Sequence, residues 1–429
     1  MSSIEADRSL QRLLEDPLRA ALLEASHPAV CHLVGGAIRD RLARGIASDD
    51  WDLVVSEDGE TVARRLARAL AGRFVELGGE RFSAYRVVTP GETGERRVVD
   101  LWDRHGAPLE RELRRRDLTV NSIAVDLATG EVVDPLGGRA DLDSGLLRAN
   151  APERFLEDPL RSLRLLRFAQ QLPGFTIEPE TADAARRGSA QLETIAAERV
   201  RQELDRILGA PIDREVADRM AALDLFPRLW NEEAIGAGPA SGVVDAAARL
   251  ERVTEPTVEE LPGDALMAVH HALLLLASGA ASDASDRLDR LAARRWVSVA
   301  TAARLERLVR PIPIPTTDSE RRLFIHRNGP EWALAATVAA QTAPSGEDLE
   351  AVADLIDLAH REARTILSSP PLLDGHDLQR EFGVPPGPGL GGLLSALGEA
   401  QAVGTVRTSD EARRWIADRL AAALDEPAT

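Results

Sequence analysis

The segment Leu33–Val55, LVGGAIRDRLARGIASDDWDLVV, constrains the fold of this 429-residue chain more than any other. Residues 30–34 are apolar and read as a short strand, Gly35-Gly36 as a turn, and residues 36–44 as a helix leaving it. Glycines at a helix N-terminus let the backbone approach a ligand closely, and the free N–H groups at the positive helix end favour a triphosphate. Residues 51–55 then read as a second strand. Side chains two apart on a strand share a face, so Asp50 and Asp52 point one way and Trp51 the other. Two hard carboxylates on one face suit Mg²⁺, which binds through one or two carboxylates plus substrate phosphates. Two such ions roughly 3.5–4 Å apart can activate an attacking oxygen and stabilise a leaving one. The plain alternative is a set of turn and strand-edge aspartates facing water.

Four further segments follow in order. They are RRRDLTVNSIAVD (Arg114–Asp126), DPLGGRADL (Asp134–Leu142), EDPLRSLRLLRFA (Glu157–Ala169) and ERVRQEL (Glu198–Leu204). With the GG, RD and DWDL of the first segment, they resemble the motifs of the class II tRNA nucleotidyltransferase and bacterial poly(A) polymerase family, in the polymerase-β nucleotidyltransferase superfamily. Ser122 stands where that family usually has Ala. Residues 372–404 also resemble a C-terminal element of its long bacterial members. Five segments in the family's order are far more than chance spacing supplies.

The charge pattern is less direct. The chain carries a net charge of −18 and no lysine, so all 52 of its basic residues are arginine. Residues 1–208 hold 30 Arg against 36 acids, and the acidic excess lies mainly in the remainder. RNA binding therefore rests on local patches: the cluster Arg111, Arg114, Arg115 and Arg116, and a stripe of Arg154, Arg161, Arg164 and Arg167 at helical spacing. Arginine suits bidentate contact with phosphate, although the absence of lysine is explained more simply by genome composition. The single cysteine, Cys31, excludes an internal disulfide and a zinc set. The N-terminus has no basic leader with an apolar core, and no run of about 18 apolar residues occurs, so a cytoplasmic protein with no membrane span is expected.

Strand-like runs fall near 30–34, 51–55, 73–77, 82–88, 96–102, 122–127 and 131–133, with helices at 36–44 and 59–71. From Pro152 the pattern turns helical, and loops such as Ala234–Gly242 and Val309–Thr317 interrupt it. The expected fold class is α+β: a polymerase-β-like nucleotidyltransferase head with a mixed sheet, then an all-helical neck, body and tail. The expected divisions are head 1–150, neck with the nucleotide-selecting helix 151–225, and body and tail 226–429. Residues 209–370 show no convincing site; His270-His271 and His376-Asp377 are not spaced as a metal set.

The resemblance implies a set of site residues. Asp50 and Asp52 would bind the metal and catalyse. Asp100, in RRVVDLWDR, falls where the family has a third acidic residue, with Asp103 its competitor. Gly35, Gly36, Arg39, Arg116, Asp117, Asn121, Asp158, Arg161, Arg164 and Arg167 would bind the nucleotide. Of these, Arg116, Asp117 and Asn121 would contact triphosphate and ribose, with Asp117 a candidate acceptor for the 2′-hydroxyl. Asp158 and Arg161, three apart on an expected helix, would read the Watson–Crick edge of the incoming base. An ionised Asp only accepts and Arg only donates, which matches cytosine and adenine and opposes guanine and uracil. The ordinary alternative for that pair is a surface ion pair.

The implied activity is untemplated, Mg²⁺-dependent addition of C, A or both to the tRNA 3′ end from CTP and ATP. Only ten residues lie between Arg104 and Arg115, where many CCA-adding members carry a longer loop and enzymes that add only CC lack it. The short connection therefore predicts addition of CC without A. A poly(A) polymerase of the same fold and a non-catalytic RNA-binding homologue are the alternatives; the first lacks its usual basic C-terminal region, and the second has no need of Asp50 and Asp52.

Overall fold

The computed structural model describes residues 10–77, 84–90, 96–212, 214–229, 267–268, 271–272, 281–310, 313–342 and 346–425. The loop at 234–242, His270 and part of the 82–88 run lie outside them. The chain divides into two compact units, one of residues 1–203 and 219–228, the other of 204–218 and 229–429.

The first unit opens with α1 (Pro17–Ser26), β1 (Cys31–Val34), α2 (Gly36–Arg44), β2 (Asp50–Val55), α3 (Gly59–Ala69), β3 (Arg73–Glu76), β4 (Ala84–Pro90) and β5 (Arg96–Asp103). It continues through α4 (Leu109–Arg114), β6 (Ala124–Asp126), β7 (Val132–Val133), α5 (Gly138–Ser144), β8 (Leu146–Leu147), α6 (Arg154–Glu157), α7 (Arg161–Gln171), β9 (Thr176–Ile177), α8 (Pro179–Ser189) and α9 (Ala197–Leu208), whose last residues enter the second unit. Seven strands form one sheet in the order β3-β4-β5-β2-β1-β6-β7, with β8 and β9 a separate parallel pair. Only β2 and β5 run parallel in the large sheet, so it is mixed, as expected.

Strand alternation divides β2 between two environments. Trp51, Leu53 and Val55 enter the main core with Leu33, Ile38, Leu66, Val87 and Leu101; each such burial contributes roughly 1.5–3 kcal/mol. Val54 faces the other way, into a small cluster with Val34, Ala124 and the Leu109 and Leu113 of α4. That second face carries Asp50 and Asp52. Helix α4 thus lies on the sheet face that bears the carboxylates.

Two local readings change. The expected strand over 122–127 begins only at Ala124, because residues 119–121 form a 3₁₀ turn and Ser122 donates to the Leu118 carbonyl at 2.8 Å. Asp158 and Arg161 do not share a helix. Pro159 disfavours helical geometry at Asp158, so Asp158 closes α6 and Arg161 begins α7.

Helix α10 (Arg214–Ala222) straddles the division, α11 (Leu225–Leu229) belongs to the first unit up to Arg228, and the second unit continues beyond it. Then come α12 (Ala281–Ala293), α13 (Val299–Leu308), α14 (Asp318–Asn328), α15 (Trp332–Thr342), α16 (Gly346–Ser368), α17 (Gly375–Phe382), α18 (Pro388–Val403) and α19 (Ser409–Asp425). Residues 372–404 fold as the pair α17 and α18. Leu378 and Leu397 close a core there with Val406 and Ile416 of the following segment. Asp374 caps α17 by accepting from the His376 and Asp377 N–H groups, which places that His-Asp pair in a helix start. Among the described residues no helix is long and apolar enough to cross a membrane.

Candidate active site

The Gly35-Gly36 turn has a steric reason. Gly35 has φ 80° and ψ −140°, a conformation open in practice only to glycine. A Cβ there would lie 2.7 Å from Arg116 Nη1 and 2.9 Å from Asp52 Oδ2. The turn can therefore hold its place beside the Asp52 carboxylate only without a side chain, and α2 starts at that point.

Across the sheet, Arg86, Asp100, Asp52, Val34 and Ala124 occupy one row, partnered strand to strand from β4 to β6. Asp50 lies two residues before Asp52 and is exposed. Asp52 opens onto a cleft with 42 % of its side chain exposed, and Arg116 lies 3.8 Å away. Partial desolvation within the cleft, together with the negative charge of Asp100 and Asp50, pushes its carboxyl above the ordinary range despite the pull of Arg116 and Arg164. Such a group gains from a cation.

The two contenders for a third carboxylate have different surroundings. Asp100 is gripped by Arg86, whose Nε and Nη2 each donate at 2.7 Å. Asp103 is spent on the backbone: one oxygen accepts from Gly59 N at 2.8 Å at the start of α3, the other from His105 N at 2.7 Å. Among the described residues no group of three His, Cys, Asp or Glu side chains forms a cation cage. The Asp50/Asp52 pair offers hard oxygens that would suit a divalent cation completing its shell with water and substrate phosphate.

The cleft, of about 1010 Å³, is lined by Asp52 and Asp100 on one side and by Arg116, Asp158, Arg161 and Arg164 among others. Behind Arg164 runs a buried chain of polar contacts. Asp117 accepts from Arg164 Nε and Nη2 at 2.9 and 2.7 Å and from Asn121 at 2.9 Å; Asn121 in turn accepts from Arg39 at 2.8 Å. Burial alone would raise the Asp117 carboxyl, but the Arg164 charge and these hydrogen bonds hold it well below the usual carboxylate range. Arg39 is almost fully buried, its other donors on Asp40. Arg167 donates to Glu203 at 2.7 Å. Arg39, Arg164 and Arg167 all lie over the Phe168 ring, 4.9, 5.3 and 4.4 Å from its centroid.

Asp158 and Arg161 make no ion pair with each other. Arg161 donates to the carbonyls of Arg116 and Arg115 at 3.0 and 2.8 Å. Asp158 Oδ2 accepts from Arg199 at 3.0 Å, while its Oδ1 is buried with no hydrogen-bond partner among the described residues. A buried acceptor left open at a cleft wall is costly unless a ligand donates to it.

Several structural partners carry little or no mark in the sequence. Asn150 donates to the carbonyls of Leu113 and Arg116 and to Ser122 Oγ. Asp141 binds Thr119 Oγ1 at 2.5 Å and the guanidinium of Arg148. The second glycine of DPLGGRADL is obligatory: a Cβ on Gly138 would sit 2.2 Å from the Thr119 carbonyl oxygen. Asn150 and Arg148 have no local signal, whereas Arg199 and Glu203 lie inside the ERVRQEL segment.

The family described as "Poly A polymerase head domain" matches residues 31–148, and that described as "Probable RNA and SrmB- binding site of polymerase A" matches residues 174–232. The chain is 30 % identical over 406 residues to a CC-adding tRNA nucleotidyltransferase of Geobacter sulfurreducens, covering 90 % of this chain and 91 % of that one. It is 34 % identical over 426 residues to an A-adding tRNA nucleotidyltransferase of Deinococcus radiodurans, covering 91 % and 95 %. Its fold matches the solved CCA-adding enzyme of Bacillus stearothermophilus in complex with CTP at a TM-score of 0.68 and 23 % identity, over 99 % of both chains.

Proposed function

Because this chain belongs to the tRNA nucleotidyltransferase and bacterial poly(A) polymerase family, we propose that it lengthens the 3′ end of tRNA by adding C residues from CTP, with A left to a second enzyme. The observation that carries the reaction class is the row holding Asp52 and Asp100, with Asp50 beside it and the Gly35 turn against it. A primer 3′-hydroxyl attacks the α-phosphate, a new phosphodiester forms and pyrophosphate leaves.

In this reading Asp50 and Asp52 hold Mg²⁺, and Asp100 completes the acidic row. The ion, when bound, lowers the charge on the reacting phosphate and favours ionisation of the primer hydroxyl. Gly35 and Gly36 admit the triphosphate to the N-terminus of α2. Arg116 and Arg164 face its charge, and Asp117 with Asn121 positions Arg164 and accepts from the ribose. Arg39 supports Asn121, and Arg167 fixes α7 through Glu203. Asp158 Oδ1 accepts from the exocyclic amine of cytosine or adenine, and Arg161 leaves its carbonyl partners to donate to the ring. The head spans 1–150, the selecting neck 151–225 and the RNA-binding body and tail 226–429, and the enzyme works in the cytoplasm.

The reading of C without A rests on the segment between Arg104 and Arg115. A turn tied to β2 by Arg104 N–Val55 O and Gly106 N–Ser56 O, followed at once by α4, consumes the ten residues. No slack is left for a lever that reshapes the pocket. The Deinococcus relative favours the opposite partial activity, A alone. Incubating tRNA that lacks CCA, ends in C or ends in CC with each labelled nucleotide separately decides between them. Two C additions and no A is the expected result; A addition to the CC end refutes it.

A further inference from the structure

Resting on that reading, we propose that Arg111, Arg114, Arg115 and Arg154 form a seat for the backbone phosphates of the RNA strand entering the cleft. The four guanidinium groups line a depression of about 550 Å³, and among the described residues no other side chain lines it. Three of them, Arg111, Arg115 and Arg154, also line the cleft that holds Asp52, so the two spaces adjoin.

Helix α4 and its C-cap Arg115 build this surface by helical spacing. Leu109 and Leu113 are buried against the carboxylate-bearing face of the sheet, which turns Arg111, Arg114 and Arg115 outward. The mount is firm, because Asn150 donates to the Leu113 and Arg116 carbonyls. Charge compensation is incomplete. Arg154 pairs with Glu157 at 2.8 Å and Arg115 with Glu112 at 3.5 Å, whereas Arg111 and Arg114 make no ion pair among the described residues.

Planar forks with five donors each match phosphate oxygens. The depression has no aromatic ring on which a base could stack and no side-chain acceptor to read a base edge, among the described residues. It therefore takes RNA by its backbone without regard to sequence, as an enzyme acting on many tRNAs requires. On a chain of net charge −18, such a local surplus is where a polyanion can settle.

The test compares wild type with the Arg111→Gln/Arg114→Gln and Arg111→Lys/Arg114→Lys double variants. Binding of tRNA lacking its 3′ CCA is measured by filter retention across a salt series, without nucleotide, and KM for CTP is measured separately. The glutamine variant should bind tRNA roughly tenfold more weakly at low salt, with a log–log salt slope shallower by about 1.4, corresponding to two single-strand phosphate contacts. The lysine variant should keep the slope, and KM for CTP should stay within twofold in both. Unchanged tRNA affinity and slope in the glutamine variant overturn the seat, as does a raised KM for CTP or weakened pyrophosphate inhibition with RNA binding intact, which assigns the patch to the nucleotide instead. RNA is scored without catalysis, so a wild type that binds tRNA through these arginines but incorporates nothing refutes the nucleotidyl-transfer reading alone.

Discussion

Arg86 and Asp100 stand opposite each other on β4 and β5 and close a fork of two 2.7 Å hydrogen bonds. The fork holds Asp100 in the row of Asp52 while committing both of its oxygens. Asp50 and Asp52 have no such partner in β4.

The three aspartates should therefore differ in weight. Asp50→Ala and Asp52→Ala should each lower single-turnover CMP incorporation by at least about 10³-fold, since each removes charge facing the reacting phosphate. Asp100→Ala should cost roughly 10- to 100-fold, because both of its oxygens are already committed to Arg86. Melting temperatures should stay close to wild type. Full activity in the Asp50 or Asp52 variant would sink the enzymatic assignment.

Base choice should separate from chemistry at Asp158 and Arg161. Replacing either by Ala removes an edge contact worth about 1–3 kcal/mol, so discrimination between C and U should fall roughly 10- to 100-fold. Maximal turnover with the preferred nucleotide should change less. Unaltered selectivity among all four nucleotides would show that the base is read elsewhere.

Gly35→Ala tests the turn. The backbone conformation costs about 1–3 kcal/mol for any other residue, and the new methyl collides with Arg116 and Asp52. We expect kcat/KM to fall by about two orders of magnitude or more with a modest loss of thermal stability. Near-normal kcat/KM would mean that the turn does not set the position of Asp52.

Asp117 gives a pH signature in stability. Its carboxyl is held below the ordinary range in the folded chain, by the Arg164 charge and hydrogen bonds that outweigh its burial. A depressed folded pKa contributes stability that is complete above the unfolded value, near 3.9, and is lost as pH falls through the folded one. Wild type should thus lose melting temperature more steeply than Asp117→Asn between about pH 4 and pH 2. Parallel curves over that interval would contradict the pairing.

The sequence made the elements at the site legible almost to the residue. Strands β1 and β2 and helix α2 depend on alternation, a glycine pair and helical spacing, all of which are local signals. The exposed Asp50 and the buried Trp51 followed from the same alternation. Partnership was harder to read. Asn150 and Arg86 acquire meaning only from what lies opposite them, and nothing within a few residues of either indicates it. Asp158 and Arg161 mark the intermediate case: their spacing suggested one helix face, while the intervening Pro159 already marked a break between α6 and α7.

Arg161 spends two donors on the carbonyls of Arg115 and Arg116, joining the start of α7 to the end of α4. In the proposed reading the choice of letter is coupled to the strand that receives it, because Arg161 turns to the base only by releasing the carbonyls at the end of α4. A lineage cannot drift in its choice of base by loosening Arg161 without also shifting the arginines that stand on α4, and selection on either trait acts on both.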